Sequence, residues 1–187
     1  MARKVLPSHA PLVRPTGRLY VCPLSALDVV VTTCGASHLM TCLHDDVVLT
    51  PHSIEPARHL RLVMHDIAEE MPEYVAPDAK HVDRLIGFAR DWGGHGAMVV
   101  HCWAGISRST AAAFISLCAI NPDAPEERIA WALREASPTA HPNRLMVRLA
   151  DEALARSGRM VEAVERIGRG APAHEGVPFS LPADAGM

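Results

Sequence analysis

The stretch from Met98 to Thr110 constrains this chain more than any other. It opens on the apolar run Met98-Val99-Val100, reaches His101 and Cys102, passes through a short loop around Gly105, and closes on Arg108 and Ser109 before Ala111-Ala112-Ala113-Phe114. That order predicts strand, loop, helix. A buried strand ending in His-Cys delivers a thiol to the carboxyl edge of a sheet, where open α/β folds place their ligands. Five residues, with a glycine in their middle, separate Cys102 from Arg108 and let the backbone curl until its N–H groups converge. At a helix N-terminus such a nest binds anions, because unpaired donors and the positive end of the helix dipole face one point. Arg108 adds a planar fork that can hold two phosphate oxygens. A free thiol with a pKa of about 8.5 is mostly protonated at neutral pH, and the same positive field is expected to ionise Cys102. Ser109 can donate to the sulfur, and His101 is expected to fix the loop backbone rather than react.

His101-Cys102-x5-Arg108-Ser109 resembles the signature loop of the cysteine-dependent protein tyrosine and dual-specificity phosphatases. The resemblance implies an α/β fold with a central, mainly parallel sheet flanked by helices in three layers. It implies hydrolysis of phosphate monoesters through a phosphocysteine, with no cofactor and no metal. Cys102 would be the nucleophile, Arg108 the oxyanion clamp and Ser109 the donor to sulfur. The backbone of Trp103, Ala104, Gly105, Ile106 and Ser107 would line the phosphate site with Arg108. The family also supplies a carboxylic acid from a loop some tens of residues upstream, and Asp66, 36 positions before Cys102, fits. Asp45, Asp46 and Asp78 are the other candidates. The string Ser137-Pro138-Thr139-Ala140-His141-Pro142-Asn143 looks like the proline-asparagine stretch that opens a final helix in dual-specificity members, making Asn143 a structural support.

Composition sets the surroundings of this loop. With 187 residues, 49% hydrophobic and 4% aromatic, the chain suits one domain with a core of small aliphatic side chains. A net charge of −3 argues against nucleic-acid or membrane-surface binding, so phosphate recognition has to be local. The polar, proline-broken start does not read as a signal peptide, and five irregularly spaced cysteines suit a reduced, cytoplasmic protein. Cys34, His38, Cys42 and His44 invite a zinc reading, but strand and turn geometry would scatter them. Cys22, Cys34, Cys42 and Cys118 read as packing residues, though one near Cys102 could trap its oxidised form.

Along the chain, residues 1–17 read as an irregular lead-in, 18–167 as the phosphatase-like domain and 168–187 as a disordered tail rich in Gly and Pro. Strands are expected at Arg18–Cys22, at the β-branched run Val29–Thr33 as a buried central strand, at Leu39–Leu43, Val47–Leu49 and Leu60–Met64, and into the Cys102 loop. Asp45 and Asp46 read as a hairpin-type turn. Helices are expected after an Asp78 cap, from Ser107 or its neighbours to Ile120, after Asp123 and Pro125, and from an Asn143 cap through Leu145, Leu149 and Ala153, with Gly158 at the end or in a kink.

The uncharged loop residues Trp103 to Ser107 favour a substrate with one phosphate, phosphotyrosine on a protein or a small phosphomonoester, with dual specificity open to a shallow pocket. Trp103 reads as a packing or pocket-wall residue. A non-catalytic phosphate-recognition module and a sulfur-transfer enzyme are the rival readings, and neither calls for His-Cys together with Ser after the arginine.

Overall fold

The structure is a computed structural model that describes residues 16–187. The expected lead-in, as far as residue 15, lies outside the described residues. Five strands form one sheet: β1 (Arg18–Pro23), β2 (His38–Leu43), β3 (His59–Val63), β4 (Ala97–Cys102) and β5 (Phe179–Pro182), in the order β3-β2-β4-β1-β5. The first four are mutually parallel, and β5 runs antiparallel to β1. Six helices cover the sheet: α1 (Leu27–Cys34), α2 (Ala79–Trp92), α3 (Arg108–Ile120), α4 (Glu126–Ala136), α5 (Arg144–Ala153) and α6 (Arg159–Arg166). This is the layered α/β architecture expected from the loop. No helix among the described residues is long and apolar enough to cross a membrane.

Strand β4 occupies the sheet centre, so its alternation sorts the two faces. Met98, Val100 and Cys102 join Leu19, Val21, Met40 and Cys42 beneath α2 to α6, whereas Val99 joins Cys22, Leu27, Val31 and Leu39 beneath α1. Helix α3 is buried along almost its whole length. Its alanine triplet, Ala111 to Ala113, leaves room for the sheet to approach it closely, as the alanine-rich, aromatic-poor composition anticipates.

Four sequence expectations are corrected. The run Val29–Thr33 is not a central strand but most of α1, with Val29 69% exposed. Parallel β1 and β2 need a crossover between them, and a helix seated on Leu27 and Val31, one turn apart, supplies it; that demand overrides β-propensity. Val47–Leu49 forms no strand: Val47 and Leu49 are exposed, and the Arg61 side chain donates to the Val48 carbonyl. Because β2 and β3 are parallel, Asp45 and Asp46 cannot form a hairpin turn. The single last helix is two, α5 and α6, separated by left-handed Ala155, Ser157 and Gly158 (φ +53°, +53° and +90°), with the buried Asp151 carboxylate accepting from the Gly158 and Met160 amides.

The tail expected to be disordered is also ordered. Gly and Pro hide its periodicity, yet Leu181, Ala183 and Ala185 are buried and β5 covers the otherwise open edge of β1. Asn121 Nδ2 donates to the Ala183 carbonyl, and the Arg18 guanidinium donates to Ser180 Oγ. Leu181→Ala is therefore expected to lower the unfolding free energy by about 2–4 kcal/mol in urea titrations; an unchanged midpoint would mean that this segment is not part of the fold.

Candidate active site

The Cys102 loop is shaped by where its carbonyls go. Trp103 O accepts from the Leu24 amide at 3.1 Å, Ala104 O from Gly176 at 2.8 Å, Ile106 O from His141 at 2.9 Å and Ser107 O from Ala111 at 2.9 Å. These carbonyls are engaged by neighbouring segments, while among the described residues the amides of Trp103, Ala104, Ile106 and Ser107 have no main-chain acceptor. Gly105 takes φ +70°, and a Cβ there would lie 2.7 Å from Pro23 N, so the loop needs glycine both for its conformation and for its contact with β1.

Inside this curl, Cys102 Sγ accepts from the Gly105 amide at 3.2 Å and lies 3.1 Å from Ser109 Oγ. Arg108 is buried and donates through Nη1 to Met64 O at 2.8 Å, which holds the guanidinium beside the end of β3. Its Nε lies 3.9 Å from Asp66 Oδ2, with no hydrogen-bond acceptor of its own. Ser107 stands at the N-cap position of α3 but does not cap it; its hydroxyl donates to Asp66 Oδ1 at 2.7 Å. Asn143 caps α5 by accepting from the Met146 amide and donates through Nδ2 to Asp66 Oδ1 at 2.9 Å and to Ile67 O at 3.2 Å. Sequence reading offered Asn143 as a support; its grip on the Asp66 loop appears only in three dimensions.

Cys102, Arg108, Ser109, Asp66, Ser107, Gly105 and Asn143 thus converge. The other acidic candidates are engaged elsewhere: Asp78 caps α2 by accepting from the His81 amide, Asp45 faces His44, and Asp46 pairs with Arg61 at 2.8 Å. The Asp66 loop is closed at its base, where His65 N donates to Val75 O and Val75 N donates to the His65 ring. Trp103 is 61% exposed, so it is no packing residue, while Ala104 and Ile106 are half-buried.

Beneath the loop runs a buried polar chain that the sequence did not signal. His101 Nε2 is hydrogen-bonded to Thr41 Oγ1 at 2.7 Å, the same oxygen meets His59 Nε2 at 2.8 Å, and His59 Nδ1 meets Thr50 Oγ1 at 2.9 Å. Thr41 and His101 are cross-strand partners, which is why their side chains meet. Burial holds both imidazoles neutral, each with a pKa pushed down to about 4. Folded-state values below the ordinary 6.5 mean that the unfolded chain takes up protons first as pH falls. The resulting stability is complete above about pH 6.5 and is lost between there and about pH 4. The urea midpoint of the native chain should fall through that window more steeply than that of His59→Gln; parallel curves would contradict the assignment.

The other four cysteines differ from Cys102 in their surroundings. Burial raises the pKa of Cys22 to about 12, helped by the neighbouring Cys102 and Cys34, and burial also raises those of Cys34, Cys42 and Cys118.

No family model and no curated protein matches this sequence. Solved structures do match the fold. DUSP15 superposes with a TM-score of 0.56 at 21% identity, over 83% of this chain and 92% of that one. The Cydia pomonella PTP-2 phosphatase gives 0.57 at 20% identity, over 74% and 87%. A mouse putative dual specificity phosphatase, complexed with zinc tungstate, gives 0.55 at 15% identity, over 84% and 96%. Sheet, flanking helices and these superpositions agree: the chain has the fold of the cysteine-dependent tyrosine and dual-specificity phosphatases.

Proposed function

We propose that this chain is a cysteine-dependent phosphatase that hydrolyses phosphate monoesters, phosphotyrosine on a protein foremost. The observation that carries the reading is one sulfur that accepts from the Gly105 amide and lies 3.1 Å from the Ser109 hydroxyl, inside a loop whose carbonyls are engaged by the segments around it. Hydrogen bonds to a thiolate favour its ionised form, and the N-terminus of α3 adds positive potential.

In the first step the Cys102 thiolate attacks phosphorus. A sulfur–phosphorus bond forms, the ester P–O bond breaks, and Asp66 as the acid gives its proton to the leaving oxygen. Arg108 and the inward amides hold the three non-bridging oxygens, and their fixed directions suit the charge of the transition state better than that of the ester. In the second step water attacks phosphorus while Asp66 takes its proton, and the sulfur–phosphorus bond breaks to restore the thiolate and release inorganic phosphate. Ser109 stabilises the departing sulfur by donating to it. Ser107 and Asn143 aim Asp66 over the loop, while His101, held by Thr41, keeps the strand end beneath the nucleophile in place.

The fold neighbours carry phosphatase names, which agrees with this reading. The loop residues Trp103 to Ser107 bear no charge, which favours one phosphate in the loop itself. Release of phosphate from phenyl phosphate tests the mechanism. Cys102→Ser should lower turnover by about 10³-fold or more, and Asp66→Asn by about 10²-fold on this poor leaving group. Equal release by native chain and Cys102→Ser would remove the nucleophile, and phosphopeptide binding without turnover would make the chain a recognition module.

The thiolate has its own test. With the other four thiols pushed up by burial, iodoacetamide near pH 6.5 should modify Cys102 first, and inorganic phosphate should slow the reaction. First modification at any other cysteine would contradict it.

A further inference from the structure

Ala104 O and Gly105 N belong to one peptide group, and both of its polar atoms are engaged. The carbonyl accepts from the Gly176 amide at 2.8 Å, and the N–H donates to Cys102 Sγ at 3.2 Å. A trans peptide is planar and directs its C=O and its N–H to opposite sides. Whatever fixes the carbonyl on one side therefore aims the N–H on the other. Leu24 N grips Trp103 O and His141 N grips Ile106 O in the same way, but among the described residues only the Gly105 amide also reaches the sulfur.

The segment that supplies this donor is shaped for it. From residue 171 to residue 178 every position is exposed except Gly176, which is buried. A Cβ on Gly176 would lie 3.1 Å from Gly105 O and 3.5 Å from Ala104 O, so the glycine lets main chain approach main chain. On one side of it, Ser25 Oγ donates to Glu175 Oε1 at 2.6 Å and ties the segment to the turn after β1, the turn whose Leu24 amide holds Trp103 O. On the other side, Phe179 enters β5 opposite Val21. Covering the edge of β1 accounts for β5, but not for a buried glycine three residues before the strand. At Gly176 the exposed chain dips inward to place one N–H.

Resting on the reading of Cys102 as the nucleophile, we propose that Gly176 is a positioning residue of the active site: its amide, acting through the Ala104–Gly105 peptide, holds the main-chain donor on the sulfur and so favours the thiolate. Hydrogen bonds in series polarise one another, by about 10–30% per bond. A donor gains more from an ionised acceptor than from a neutral one, so the added polarity is worth more to the thiolate than to the thiol. The grip on the carbonyl thus both directs and strengthens the bond to sulfur. Ser25 and Glu175 act one step further out, by keeping the segment on the loop.

The test reads ionisation rather than turnover. Gly176→Pro removes the donor. The rate of Cys102 alkylation by iodoacetamide, followed from about pH 5 to about pH 9, should then have its midpoint about half a pH unit above that of the native chain, with modification about threefold slower below it. Leu181→Ala weakens the packing of β5 but keeps the donor, and its midpoint should match the native one. Equal midpoints for Gly176→Pro and the native chain, or an equal shift in Leu181→Ala, would overturn the proposal. Should Gly176→Pro not fold, the native chain supplies a second measurement. In isotope-labelled protein the Gly176 amide resonance should move with pH through the alkylation midpoint, and that movement should vanish in Cys102→Ser. Cys22, Cys42, His174 and Glu175, titratable groups near the sulfur or on the segment, are the same in both chains, so the difference isolates Cys102. A Gly176 resonance blind to Cys102 ionisation removes the relay and leaves the nucleophile, whereas a Cys102 that stays protonated across the range removes both. A resonance that follows Cys102 in a chain that releases no phosphate supports the relay and lets the phosphatase reading fail alone.

Discussion

The outward turn of the carbonyls between Trp103 and Ser107 governs the site. A loop this tight must find partners for its backbone groups, because unpaired buried polar atoms are costly. Here the carbonyls bond to Leu24 after β1, Gly176 in the C-terminal segment, His141 before α5, and Ala111 inside α3. In the proposed function, the amides left without main-chain acceptors would form an anion cradle that needs no rearrangement on binding, which is the condition for electrostatic preorganisation. Gly105 is the pivot, since its left-handed backbone abuts Pro23 with no space for a side chain.

Two further sets of contacts hold the proposed reacting groups around that loop. Arg108 is held by Met64 O, and Asp66, two residues later in the chain, by Ser107 and Asn143, so the end of β3 bears on both. On the opposite face of the sheet, the Thr41 hydroxyl lies between the imidazoles of His101 and His59 and links the strand that carries Cys102 to β2 and β3. Thr50 and Arg61 extend the chain to Asp46 at the surface. Buried polar networks of this kind are stable only when nearly every member is satisfied, so they specify one arrangement of the strands that bear the site.

The C-terminal segment has the same double character. It completes the sheet edge through β5 and, on the way, straps the Cys102 loop at Gly176 and the loop before α5 at Gly170.

Much of this was legible in residue order. The spacing of Cys102, Gly105, Arg108 and Ser109 is a local requirement of a curled backbone, and local requirements leave local traces; the same holds for the Asp78 and Asn143 caps and for the β4 apolar run. Asp66 could be ranked ahead of its rivals by its distance from Cys102, but its hold by Ser107 and Asn143 joins segments far apart in the chain. The conformation of Val29–Thr33 depended on the crossover that joins two parallel strands, and the order of residues 168–187 on an open sheet edge, neither of which is a property of those residues alone. By itself the sequence determined the curled loop and the residue types that it brings together. Tertiary structure decided which distant carboxylate, hydroxyl and arginine stand around it, because long-range packing and buried hydrogen bonds choose partners that no local pattern encodes.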